Sequence, residues 1–92
     1  MIIRILTEGQ FNLPGIHIDT LNEIDNEIVD LVAQGDDPGF KKLLAKMLDL
    51  VRDSGTEIPV DELVESDLVL PQPDITLNEA AEMFVGEGLV PD

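Results

Sequence analysis

The 92-residue chain has no cysteine and only five basic side chains against 20 acidic ones, giving a formal charge of −15. Without cysteine there can be no disulfide frame, thiol nucleophile, zinc-thiolate site or iron–sulfur cluster. The shortage of lysine and arginine removes the basic footprint that nucleic acid or an anionic lipid surface requires, because clustered carboxylates repel phosphate. Basic proteins and cations are what such a surface attracts. Long hydrophobic runs are missing too: the apolar opening Met1-Ile2-Ile3-Arg4-Ile5-Leu6 meets Thr7-Glu8-Gly9 at once, too short for a signal-peptide core or a membrane span. A soluble, unprocessed cytoplasmic chain with no direct membrane insertion is expected. Apolar residues are present in ordinary measure, 43% of the chain, enough to fold one domain over residues 1–92 and too few for two cores. Acidity of this degree can also be a salt adaptation, a reading that nine isoleucines and four asparagines weigh against.

Residues 2–6 are β-branched and apolar, and Gln10-Phe11-Asn12-Leu13 alternates at the two-residue period of a half-buried strand. With Thr7-Glu8-Gly9 as the turn, the pair predicts a hairpin of strands 2–6 and 10–13, ended by Pro14-Gly15, with Phe11 and Leu13 facing inward. Thr20 and Glu23 have capping-box spacing and predict helix A over 20–34, with Leu21, Ile24, Ile28 and Leu31 as its apolar stripe and Gly35 as its stop. Asp37-Pro38 predicts the start of helix B, which runs over 38–54 and ends at Gly55. Phe40, Leu44, Met47 and Val51 form the helix B seam, to be matched with helix A in an antiparallel helical hairpin. Four of the five basic residues, Lys41, Lys42, Lys46 and Arg52, fall on helix B.

Three prolines break the stretch from Thr56 to Pro73, where residues 60–65 predict a turn of helix and 67–70 a third strand beside the hairpin. Thr76 and Glu79 form a second capping box and predict a short helix C over 76–85, with Leu77, Ala80, Ala81 and Phe84 toward the core and Gly86-Glu87-Gly88 as its stop. The expected class is α+β: an N-terminal hairpin with a third strand, packed against a helical hairpin and a short C-terminal helix.

Candidates for chemistry are few. His17, the one histidine, could act as a general base with Asp19 nearby, but neither Ser54 nor Ser66 sits in a nucleophile elbow, and a surface histidine before helix A is the plainer reading. Glycine patterns for dinucleotides or P-loops are absent. Asp36 with Asp37, Asp61 with Glu62, or Glu65 with Asp67 could offer oxygens to calcium or magnesium, yet none has EF-hand spacing, and helix-start acids and a solvated face explain them. Neither catalytic residues, cofactor nor metal site is expected. A carboxylate-rich surface can instead steer a basic partner toward it, or simply confer solubility.

Several landmarks, taken in order, resemble one small family. They are Met1 to Phe11, whose Arg4-Ile5-Leu6 and Glu8-Gly9-Gln10 together with Ser66 to Pro71 are the most distinctive part; Leu21-Asn22-Glu23-Ile24-Asp25; and Val51-Arg52 with Gly55. Asp61-Glu62-Leu63, Ser66-Asp67-Leu68-Val69-Leu70-Pro71, Asp74 to Glu79 and Gly88-Leu89-Val90-Pro91 follow. The sequence resembles the PspA-associated (PspAA) family over essentially its whole length, although the family's turn often has glycine where Thr7 stands. The resemblance implies a non-enzymatic adaptor or regulator of phage shock protein A, a coiled-coil protein that protects membranes under envelope stress, and it brings no catalytic residues with it. The expected partner is thus phage shock protein A or another protein with a basic helical surface, docking on Asp61, Glu62, Glu65 and Asp67. The alternatives are a cation-binding acidic protein or anionic mimic without that role, and a small enzyme built on carboxylates and His17. A spare sheet edge also leaves a homodimer open.

Overall fold

In the computed structural model, which describes residues 1–62, 64–84 and 89, the hairpin forms as β1 (Ile2–Ile5) and β2 (Gly9–Asn12). The register sets Ile3 opposite Phe11 and Arg4 opposite Gln10. Alternation then puts Ile3, Ile5, Phe11 and Leu13 in the core, and Arg4 and Gln10 on the other face. The turn between the strands closes with a 3.0 Å hydrogen bond from the Glu8 amide to the Ile5 carbonyl, with Thr7 at φ 75°.

A 3-10 turn at Gly15–His17 leads directly into α1 (Ile18–Gln34). The helix therefore begins two residues before the expected Thr20, and the Thr20–Glu23 capping box does not form. His17 is already in the helical region and the Ile18 amide donates to the Gly15 carbonyl, so the chain has turned before Thr20 could cap it. At the far end Gly35 adopts φ 71°, its amide donating to Val32 and the Asp36 amide to Leu31, the paired bonds of a Schellman stop. The left-handed backbone is what calls for glycine there.

Helix α2 (Asp37–Ser54) starts one residue earlier than expected, because Asp36 rather than Asp37 is the cap: its carboxylate accepts the Gly39 amide at 3.0 Å. Phe40, Leu44, Met47 and Val51 are all buried, as is Leu48. Gly55 ends the helix in extended backbone at φ −88°, not as a left-handed cap. A Cβ there would sit 2.5 Å from the Val51 carbonyl of the helix's last turn and 3.2 Å from Phe11 of β2, so crowding first by the helix end and then by β2 explains the glycine.

The chain then adds β3 (Thr56–Glu57), a two-residue strand not anticipated from sequence, antiparallel to β2. After a long crossing comes β4 (Leu68–Leu70), parallel to β1, giving a mixed sheet of order β3-β2-β1-β4. The turn of helix expected over 60–65 is absent from the described residues: 59–62 form a single turn closed by the Glu62 amide on the Pro59 carbonyl, and 64–66 are irregular, while Leu63 lies outside the described set. Contacts to the sheet from Ile58, Val64, Ser66 and Asp67 hold the described parts of this segment against the strands instead. Helix α3 (Leu77–Met83) has the complete Thr76–Glu79 capping box and places Ala80 in the core, with Phe84 just beyond its end also buried, whereas Ala81 is exposed. The expected stop at 86–88 lies outside the described residues.

The inner sheet residues, including Leu68 and Leu70, form one hydrophobic cluster with the buried stripes of α1, α2 and α3. Phe40 of α2 meets Phe84 edge-to-face, with centroids 6.2 Å apart. The helices thus cover one face of the sheet, leaving the opposite face to the β3–β4 crossing.

Candidate functional site

Strand register lines up Gln10, Arg4 and Val69 across β2, β1 and β4 on the face away from the helices. Residues 58–62 and 64–67 pass over this face as a strap, and polar contacts fix its course. Its first residue continues the β3 pairing, the Ile58 amide donating to the Gln10 carbonyl at 2.9 Å. In the middle, the Gln10 side chain donates to the Val64 carbonyl at 3.0 Å and to the Ser66 hydroxyl at 2.8 Å. At the end, the Asp67 carboxylate accepts the Ile2 amide at 2.8 Å while its own amide donates to the Ile2 carbonyl at 2.7 Å. Gln10 is buried beneath the strap despite its polarity, and its amide group is hydrogen-bonded as burial requires.

All four acidic residues singled out from sequence, Asp61, Glu62, Glu65 and Asp67, lie on this strap and are exposed. They are not equivalent. Asp61, Glu62 and Glu65 make no ion pair among the described residues, whereas Asp67 is a structural staple between strap and β1. Sequence reasoning missed the apolar component. Five large hydrophobic residues are exposed among the described residues: Val60 and Val64 lie on the strap, Val69 on β4, Leu6 in the β1–β2 turn and Ile16 in the turn before α1. Val60 is 96% exposed. A cleft of about 170 Å³ opens between strap and sheet, with Arg4, Gly9 and Gln10 as its floor and Ile58, Val60, Glu62 and Val64 as its walls. Only the alternation of Arg4 and Gln10 with core residues hinted at this face, and nothing local marked Val60 as exposed.

Elsewhere two of the basic residues, Arg52 and Lys41, are ion-paired within the fold. Arg52 of α2 grips Glu8 in the β1–β2 turn through two hydrogen bonds, Nε to Oε1 at 2.7 Å and Nη2 to Oε2, and also reaches Asp49 at 3.0 Å. The hydrogen bond from Arg52 holds the Glu8 carboxyl below its ordinary value, and the same bond raises Arg52. Lys41 pairs with Asp37 at 3.5 Å beside a larger cleft of about 350 Å³ at the start of α3, which Asp74 also lines. Lys42 and Lys46 remain exposed one turn apart on α2.

His17 and Asp19 share no hydrogen bond in the structure, and the Ser66 hydroxyl serves as a strap anchor. Asp25, a carboxylate in the middle of α1, is fully buried and accepts the Leu89 amide at 2.9 Å, holding a point of the C-terminal segment against the helix. Among the described residues no group of three or more histidine, aspartate or glutamate side chains could hold a metal ion, and no helix is long and apolar enough to cross a membrane.

Fold and surface together define a small acidic α+β protein with a strapped sheet face. Residues 1–92 match the family described as PspA-Associated protein (PspAA), and the chain belongs to that family. Neither a curated protein nor a solved structure matches it.

Proposed function

We propose that this protein is a non-enzymatic cytoplasmic adaptor that docks on phage shock protein A through the strapped face of its sheet. The observation that carries this reading is the concentration of Asp61, Glu62 and Glu65, unpaired within the described fold, around exposed Val60 and Val64 on a segment pinned at both ends. Carboxylates steer a basic surface into contact, and a strap already held in place gives up little freedom on binding. Membership of the PspA-associated family supports this choice of partner. Cross-linking and pull-down of the purified proteins at physiological salt should capture the complex, and Asp61→Lys/Glu65→Lys should slow its formation while leaving the melting temperature unchanged. Absence of a complex at that salt refutes the assignment.

A further inference from the structure

We infer that the cleft between strap and sheet is the anchor pocket of the docking face, taking one large aliphatic side chain from a basic amphipathic helix of the partner. This rests on the reading of the strapped face as a docking surface. The cleft is about 170 Å³, and its walls include Ile58, Val60 and Val64. Val60 is 96% and Val64 41% exposed, so the water-facing edge of the pocket is apolar, although neighbouring positions on the strap are acidic. Exposed aliphatic surface gathered at one concavity marks an interaction site better than scattered apolar residues do. The charged groups of the cleft are one of each sign, Arg4 on the floor and Glu62 on the wall, and offset one another locally, which suits an uncharged occupant. Around it Asp61 and Glu65 present only negative charge, which suits lysine or arginine on the flanking turns of the same helix.

The two parts then do different work. Long-range attraction sets how often the surfaces meet, and burial of the aliphatic anchor sets how long they stay together. The double variant Val60→Ser/Val64→Ser separates them, because both side chains are exposed and Gln10 holds the strap through the Val64 backbone carbonyl rather than its side chain. The probes are the partner proposed above, a synthetic helical peptide of leucine and lysine, and the same peptide with its leucines replaced by alanine. Stopped-flow association and dissociation should show the serine variant leaving the partner and the leucine peptide roughly tenfold faster with an unchanged association rate. The alanine peptide should dissociate as fast from wild type as the leucine peptide does from the variant, with no further loss when both changes are combined. Equal dissociation rates for wild type and variant, or losses that simply add, overturn the pocket. Binding of the leucine peptide with the expected kinetic split, but none of the proposed partner, upholds the pocket and refutes the partner assignment. Failure to bind either probe overturns both.

Discussion

Thr7 is a β-branched residue at φ 75°, a conformation in which its Cβ crowds the adjacent backbone. The position is fixed by the turn, since the Glu8 amide must reach the Ile5 carbonyl and Gly9 must enter β2 opposite Ile5. Replacing Thr7 by glycine removes a left-handed penalty of about 1–2 kcal/mol and adds about 0.5–1 kcal/mol of unfolded-state freedom. Thr7 is exposed, so no core contact is lost. The balance favours Thr7→Gly by about 0.5–1 kcal/mol, which for a domain of this size raises the melting temperature by roughly 2–8 °C. Urea titration should show a higher midpoint at an unchanged slope, because the surface exposed on unfolding is the same. Thr7→Asn, which tolerates left-handed backbone without glycine's entropy, should also gain. Thr7→Val keeps the branched Cβ and should not. A Thr7→Gly protein no more stable than wild type would refute the claim that the turn carries strain.

Asp25→Ala should lower stability by about 1–3 kcal/mol, the scale of leaving a part-buried amide without its acceptor, and abolish hydrogen-exchange protection of the Leu89 amide; retained protection would show that Asp25 does not hold that segment. Asp67→Lys should cost about 1–2 kcal/mol because the Ile2 amide loses its acceptor, whereas Asp61→Lys should stay within about 0.5 kcal/mol of wild type in the same denaturation assay. Glu8→Gln should be less stable by about 0.5–1 kcal/mol at neutral pH. Since Arg52 lowers the folded-state pKa of Glu8, its contribution is full above the unfolded value of about 4.3 and is lost as pH falls through the lower folded value. Wild-type and Glu8→Gln stability curves should therefore converge in acid, and a gap that persists there would contradict the assignment.

The elements most legible in the sequence are those whose determinants are local and periodic. Phe40, Leu44, Met47 and Val51 mark one face of α2 by spacing alone, and Thr76 with Glu79 caps α3 as the residue types demand. The same spacing misled at Thr20 and Glu23, because a capping residue needs orphan amides, and in a helix that has already begun at Ile18 the Glu23 amide falls to the carbonyl four residues back. β3 was illegible since two exposed residues carry no pattern; their pairing with Phe11 and Asn12 depends on where the helical hairpin returns the chain. On the strap, charge was visible as sequence and geometry was not. Asp67 resembles its acidic neighbours until the Ile2 amide is placed beside it, and Gln10 looks like a surface residue of an alternating strand until the strap covers it. The buried state of Asp25 was hidden for the same reason, its partner Leu89 lying 64 residues away.

Where a partner can attach follows from how the sheet ends. β3 offers two paired residues and β4 three, followed at once by Pro71, so neither edge presents a long template of backbone donors and acceptors. Glu57 at one edge and Asp67 beside the other add charge that opposes the approach of a second copy of so acidic a chain. An edge-paired homodimer is thereby disfavoured on geometric and electrostatic grounds together. Recognition is left to side chains on a face, and the helical layer already spends its apolar stripes on the core. The opposite face is different: Val60 and Val64 on the strap and Val69 on β4 remain partly or wholly in water there, and the strap's path is set by Gln10 and Asp67 before any partner arrives. In the proposed docking the charges that attract and the surface that holds belong to different residues, so added salt should weaken the encounter far more than the grip, a separation that a purely acidic solubility coat could not produce.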